Sequence, residues 1–380
     1  MMSEAETIKL GFIGGGPNSL IGHMHQIAAT MHDQYSLVGG IFGRELATSI
    51  SHARALQISE DRVYGSLDAL IDGEKRLPSY ERMTAVAVLS PNSLHFEAAE
   101  RLLDEGFHVI CEKPITTNLS DALALQKLVK KTGKIFCVTH TYTGYPMVRQ
   151  MRELIARGLL GEIRHVDAHY LQGWIAPIIK SEKMTSETWR LDPNVVGSSC
   201  CFGDIGVHAF NLVEYTTGIS IEQLLAELHT GTDSNSLDVD GTALFRGSSG
   251  VRGIIRASQI AVGEENNLAI SVYGDKGALK WEQENHGELI YLPEGAPRQV
   301  YRPGNAYLES LSADSTKLPP GHPEGLFDAM ANIYSGAANA MKSGEIRSGS
   351  FPTIDDGVRG VRFITASLES NRQGQKWVNL

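Results

Sequence analysis

The sequence predicts an α/β fold, with a doubly wound parallel sheet in its N-terminal part and a second domain built on consecutive strands. Three observations predict it. Strand-like and helix-like runs alternate from residue 8 to residue 139, the pattern of parallel strands joined by crossover helices. A glycine-rich turn, Gly14-Gly15-Gly16, stands between the first strand and the first helix. After about residue 145 the rhythm changes to strand-like runs separated by turns, which favours an antiparallel sheet. The change divides the chain into a dinucleotide-binding domain over 1–145 and a second domain over 146–380.

Each element has its own warrant. Residues 8–13 (Ile-Lys-Leu-Gly-Phe-Ile) read as a buried strand broken by the glycines. Leu20, Ile21, Met24, Ile27, Ala28 and Met31 recur at helical spacing. Strands are predicted over 35–42, 85–89, 107–111 and 135–139, and helices over 45–56, 67–71, 94–105 and 121–131. Gly106 and Gly133 supply helix stops. In the second half a helix over 147–157 ends at Gly158. Strands follow over 163–171, 224–230, 241–245, 251–258, 268–273, 278–283 and 288–291. Helices over 202–218, 325–342 and 358–371 complete the domain. Residues 303–324, rich in Pro, Gly and Ser, read as a long loop, a kind of segment that is often functional.

At 380 residues the chain can bury a full core in each of two domains. Its formal net charge of -10 opposes nucleic acid and anionic membrane surfaces, both of which need clustered Lys and Arg. Cys111, Cys137, Cys200 and Cys201 show no paired metal spacing and read as reduced thiols, and no metal site is expected. The first seven residues are polar and acidic, and no apolar run approaches the ~20 residues of a membrane span. A cytoplasmic protein is the expectation.

Four motifs carry chemistry. Gly14-Gly15-Gly16-Pro17-Asn18-Ser19 fits G-x-G-x-x-G with Ser19 in the third, packing position. Such a turn lets backbone approach a pyrophosphate at a helix N-terminus, so Gly14, Gly16, Pro17, Asn18 and Ser19 are candidate cofactor contacts. The second strand ends in Ile41-Phe42-Gly43-Arg44-Glu45, without an acid at its tip to hold a ribose 2′-hydroxyl. Arg44 tilts the choice between NAD and NADP toward NADP, or is a solvated arginine. Ser90, Pro91, Asn92 and His95 follow the third strand at the sheet edge where such folds bind ligands, although Asn92 or Ser93 also suits a helix cap.

Glu112-Lys113-Pro114 sits at the end of the fourth strand. A lysine there can hydrogen-bond a hydroxyl or move its proton, and a surface lysine paired with Glu112 is the plainer alternative. Asp204 and His208 lie four residues apart on one face of the predicted helix. Histidine titrates near neutrality and suits general acid/base work, with the aspartate orienting it or binding a hydroxyl itself. A dipole-favoured aspartate beside a part-buried histidine is the bland alternative.

Taken in order, the glycine turn, Ser-Pro-Asn-x-x-His, Glu-Lys-Pro and Gly-Asp-Ile-Gly-x-His resemble the Gfo/Idh/MocA family, named for glucose-fructose oxidoreductase and inositol dehydrogenase. The resemblance covers nearly the whole chain. It implies a Rossmann domain followed by an α+β domain with a large, mostly antiparallel open sheet that commonly forms subunit contacts, hence a homo-oligomer, dimer or tetramer. It implies that Lys113, Asp204 and His208 are catalytic and that Glu112 lies with Lys113 at the cofactor. In such enzymes the histidine takes a hydroxyl proton as hydride leaves for the nicotinamide.

Substrate contacts are then expected from His140, Tyr142 and Tyr145, from Gln172 and Trp174, from Trp189 and Arg190, and from His322 in the long loop. Aromatic faces with polar groups between them suit a sugar or cyclitol ring. The expectation is an NAD- or NADP-dependent dehydrogenase of a sugar, sugar derivative or inositol. Its rivals are a glycosidase that uses bound NAD for transient oxidation and a non-catalytic dinucleotide sensor.

Overall fold

The computed structural model describes residues 7–180, 189–231 and 236–380. They form two compact units. The first gathers the described residues up to Thr116, then 120–139 and 330–357. The second gathers 117–119, the described residues of 140–329, and 358–380.

The first unit runs β1 (Ile8–Gly14), α1 (Leu20–Thr30), β2 (Tyr35–Ile41), α2 (Leu46–Ala55), α3 (Leu67–Arg76), β3 (Ala85–Leu89), α4 (His95–Asp104), β4 (His108–Cys111), α5 (Leu119–Thr132) and β5 (Phe136–Val138). Its five strands are ordered β2-β1-β3-β4-β5 and every pairing is parallel. This is the predicted doubly wound sheet. All five residues of β3, Ala-Val-Ala-Val-Leu, are buried, as a strand covered on both faces requires.

The helix predicted over 67–71 is twice that length. Its charged second half stays helical because the Glu74 carboxylate is fully satisfied. It accepts from Arg62 Nε and Nη2 at 2.8 and 2.7 Å, from Tyr64 Oη at 2.6 Å and from Met83 N at 2.8 Å. A local hydrophobic pattern carries no trace of those partners.

The second unit contains α6 (Pro146–Ala156), β6 (Ile163–Leu171), α7 (Ala176–Lys180), α8 (Pro193–Val196), α9 (Val207–Thr217), β7 (Ile221–His229), β8 (Asp240–Gly247), β9 (Arg252–Ser258), β10 (Asn267–Gly274), β11 (Gly277–Glu282), β12 (Leu289–Pro293), β13 (Gln299–Tyr301) and α10 (Ser310–Asp314). The chain continues through α11 (Leu326–Ser343), α12 (Ile354–Arg372) and β14 (Val378–Asn379). Residues 330–343 of α11 belong to the first unit.

Nine strands are ordered β13-β12-β11-β10-β6-β9-β8-β7-β14. All the pairings are antiparallel except β6 with β9. Along β8 the burial alternates, with Gly241, Ala243, Phe245 and Gly247 turned to the core. On that core side Phe363 of α12 stacks on Phe202 and Phe210, with ring centroids 5.4 and 4.6 Å apart.

Three expectations need correction here. The helix predicted over 202–218 begins instead as a π-helical turn, Phe202–Gly206, before α9. The loop over 303–324 contains α10, whose Leu311 and Ser312 amides donate to Glu153 Oε2 at 2.9 and 3.1 Å. A cap supplied from α6, more than a hundred residues earlier, is invisible to local reading. The closing helix starts one turn before residue 358, because Asp356 Oδ2 accepts from the Thr353 amide at 2.6 Å and its hydroxyl at 2.9 Å. Among the described residues no helix is long and apolar enough to cross a membrane.

Candidate active site

In the first unit the glycine turn is held open by its backbone. Gly14 and Gly15 have φ of +90° and +70°. A Cβ on Gly14 would stand 2.6 Å from Leu89 O, and one on Gly16 would stand 2.2 Å from Phe42 O. Ser19 does not fill the packing position assigned to it. Its Oγ accepts from Gly22 N at 3.0 Å and caps α1. The packing role falls to Gly22, where a Cβ would lie 2.4 Å from Gly15 Cα. A turn of bare backbone opening a helix, with Pro17 and Asn18 exposed at its tip, fits a dinucleotide pyrophosphate.

Arg44 is exposed just beyond β2. His52 of α2, which sequence reasoning passed over, packs on Phe42 at 5.4 Å and lies against Gly15. Burial lowers its pKa, partly opposed by its hydrogen bond to the Gly15 backbone. Ser90, at the C-terminal end of β3, has a buried Oγ without a hydrogen-bond partner. Pro91 and Asn92 are partly exposed, and Asn92 opens a 3₁₀ turn ahead of α4. His95 differs from the expectation of a cofactor contact. It is fully buried, with Nδ1 2.9 Å from Pro114 O and Nε2 2.8 Å from Ser90 O.

The half-buried Lys113 follows Glu112, whose carboxylate is engaged within the protein. Glu112 Oε1 accepts from His25 Nε2 at 2.9 Å and from Thr139 Oγ1 at 2.5 Å, and Oε2 faces the Lys113 amide at 3.3 Å. Burial opposes the charge on Glu112. The His25 hydrogen bond and charge, Lys113 and Thr139 outweigh it and hold the pKa down at about 2. Glu112 therefore reads as an anchor for its turn.

In the second unit several of the predicted residues are linked to one another through Tyr170 and Asn266. The His208 ring meets Tyr142 edge-on at 4.9 Å. The Tyr142 and Tyr170 hydroxyls are hydrogen-bonded to each other. Tyr170 Oη donates to Asn266 Oδ1 at 2.6 Å, and Gln172 Nε2 donates to the same oxygen at 2.8 Å. Trp174 Nε1 donates to Gln172 Oε1 at 3.0 Å, and the Arg190 guanidinium lies 5.9 Å from the Trp174 ring. Arg190 Nε stands 3.5 Å from Asp204 Oδ2, and Asp204 stands on the π turn that leads into His208. Such π turns recur at functional sites because they re-aim side chains.

His140 Nδ1 lies 3.4 Å from His208 Nδ1, both rings buried. One proton can occupy that contact. When His140 accepts it, His208 keeps Nε2 as its basic nitrogen. Gln259 fixes Asp204 from behind, donating from Nε2 to Oδ2 at 3.0 Å. Burial, then the Tyr142 hydroxyl, pushes the Tyr170 pKa well up, so that phenol stays a protonated donor.

Two predicted contacts stand apart from this rim. Tyr145 is buried against Trp281 and His286, at 5.5 and 4.9 Å, and stacks on Tyr142. His322 is exposed and its Nδ1 donates to Pro319 O at 3.2 Å. Trp189 is 41% exposed beneath the Arg190 guanidinium. Sequence reasoning missed Tyr170, Asn266 and Gln259. Alternation placed Tyr170 in a strand, but nothing local marks the other two.

Known proteins share this architecture. The oxidoreductase-family model described as an NAD-binding Rossmann fold matches residues 8–140, and the GFO/IDH/MocA C-terminal domain model matches 148–280. The structure of an inositol dehydrogenase homologue complexed with NAD+ from Azotobacter vinelandii is 30% identical. That match covers 99% of this chain and 98% of that one, with a TM-score of 0.93. An uncharacterized oxidoreductase of Bacillus subtilis, YfiI, is 29% identical over 98% of this chain and 97% of its own length. The levoglucosan dehydrogenase of Pseudarthrobacter phenanthrenivorans is 24% identical over 80% of this chain and 83% of its own. With both domain models matched in order on the predicted sheets, the chain belongs to the Gfo/Idh/MocA family of NAD-binding oxidoreductases.

Proposed function

We propose that this protein is a dehydrogenase that moves a hydride between a nicotinamide cofactor and a secondary alcohol or ketone of a sugar, sugar derivative or inositol. The observation that carries the reading is the rim of the second unit. It presents phenols, amides, an indole and an imidazole, with the Arg190 cation set against Asp204. Such a surface suits an uncharged polyhydroxylated ring. The names of the inositol dehydrogenase homologue and the levoglucosan dehydrogenase point the same way.

In this reading His208 takes the proton of the reacting hydroxyl, while Asp204 and Lys113 hold and polarise its oxygen. The bound nicotinamide supplies the hydride acceptor or donor. The first unit would hold it through Gly14–Ser19, with Ser90 and Asn92 at the sheet edge. NAD is the cofactor of the matched family model and of the matched complex, and Arg44 alone favours NADP. A cytoplasmic homo-oligomer belongs to the same reading.

The test is growth of the reduced-nicotinamide absorbance band with NAD and with NADP across inositols, aldoses, anhydrosugars and glycosides. Growth with a polyol or sugar is expected. Glycoside cleavage with a flat band would move the reading to redox-assisted hydrolysis. Tight dinucleotide binding with no product would move it to a sensor.

A further inference from the structure

The turn that carries Lys113 is gripped on both sides by a buried histidine. His25, on α1, donates from Nε2 to Glu112 Oε1 at 2.9 Å, and its Nδ1 lies 2.6 Å from Tyr334 Oη. Hydroxyl, imidazole and carboxylate form one hydrogen-bonded chain. His25 and Tyr334 are at most 1% exposed. The Tyr334 ring is itself packed edge-on against Tyr35 at 5.3 Å, and Tyr35 Oη donates to Tyr334 O at 2.9 Å. On the other side His95, on α4, faces Pro114 O through Nδ1 and Ser90 O through Nε2. Carbonyl oxygens only accept, so this ring can donate to either, and to both when protonated.

We propose that His25 and His95 are positioning residues that fix the Glu112–Pro114 turn and so aim Lys113, with Tyr334 orienting the His25 ring. The inference rests on the role given to Lys113 above. It assigns work to three residues that lie far apart in the chain. His25 also stands on the helix that opens at the dinucleotide turn, and His95 ties Ser90, at the end of β3, to the same Lys113 turn. Backbone groups at two neighbouring strand ends are thereby held in one register by buried side chains.

The turn is freed by His25→Gln and by His95→Gln. Tyr334→Phe removes a single hydroxyl and guards against loss of the fold. Each is made in the native chain and together with Lys113→Ala. Amide hydrogen exchange over the peptide spanning residues 108–118 is measured first, because it needs no substrate. Exchange there is expected to accelerate, with the rest of the first unit unchanged. Unchanged protection at 108–118 in the histidine variants overturns the clamp.

Turnover is then measured with whichever sugar or inositol gives the largest reduced-nicotinamide signal. In the native background kcat is expected to fall by about ten-fold or more, with NADH affinity within about two-fold; on Lys113→Ala the same changes should add less than about two-fold. Additive losses would mean that the histidines act on stability alone, and the proposal falls. Native turnover in Lys113→Ala itself would overturn the catalytic reading of Lys113, a result visible before any histidine is changed.

Discussion

Gln259 holds Asp204 by a single oriented amide. Its Nε2 donates to Asp204 Oδ2 at 3.0 Å while its Oε1 accepts from the Cys200 thiol at 3.3 Å. Gln259 is fully buried, so the amide cannot turn over without facing its acceptor at another acceptor. The carboxylate that stands closest to His208 in sequence is therefore aimed by a residue 55 positions away.

Replacing Gln259 by Glu substitutes an acceptor for that donor. The expected result is a fall in kcat/KM of about 10- to 100-fold, the scale of losing a partner that orients a directly acting group, with dinucleotide affinity unchanged. Steady-state kinetics beside NADH titration checks it. Unaltered kcat/KM would show that Asp204 needs no such support.

Gly16→Ala places a methyl group 2.2 Å from Phe42 O, and that atom is backbone and cannot move aside cheaply. NADH affinity is expected to drop by about ten-fold or more, corresponding to over 1.4 kcal/mol. Fluorescence titration reads this directly, and native affinity in the variant would remove the turn as the dinucleotide cradle.

Arg44→Ala is expected to weaken NADP binding more than NAD binding, because only NADP offers a 2′-phosphate to a guanidinium exposed just beyond β2. Equal losses for both would make Arg44 a solvated surface residue and leave NAD preference to backbone geometry.

The sequence made the first unit legible because a parallel sheet buried on both faces writes its strands as apolar runs, as in Ala85–Leu89. It also singled out Lys113, Asp204 and His208 as candidates, each through the motif that carries it. What it hid is side-chain partnership across long separations. Glu112 looked like a companion of Lys113 at the cofactor, and its carboxylate proves to be bound by His25, 87 positions earlier, and Thr139. Ser19 looked like a substitute for glycine because the spacing put it there. The true close approach is between Gly15 and Gly22, which only the angle of α1 against the turn reveals. The π turn at Phe202–Gly206 has the same character, since apolar periodicity does not separate a five-residue turn from the helix it precedes.

Acid should weaken the first unit in a defined window. The folded state holds the Glu112 pKa at about 2, below its ordinary 4.5, so its contribution is fully present above about 4.5 and is lost as pH falls toward 2. The shift corresponds to about 3 kcal/mol for this largely buried group. Removing the His25 partner in His25→Gln should flatten the curve of stability against pH across that window. Denaturant melts at a series of pH values between 2 and 5 measure it, and parallel curves for the two proteins would place the carboxylate's stabilisation elsewhere.

The proposed function gives Lys113 and His208 each a part in the hydride-transfer step. It is tested most directly by single-turnover formation of reduced nicotinamide in the native protein, Lys113→Ala and His208→Ala, using the sugar or inositol found by the absorbance screen. Both variants should form it at least about 100-fold more slowly, the scale of a lost general base or charge-stabilising group, while binding NADH as the native protein does. Near-native rates in either variant would contradict the account.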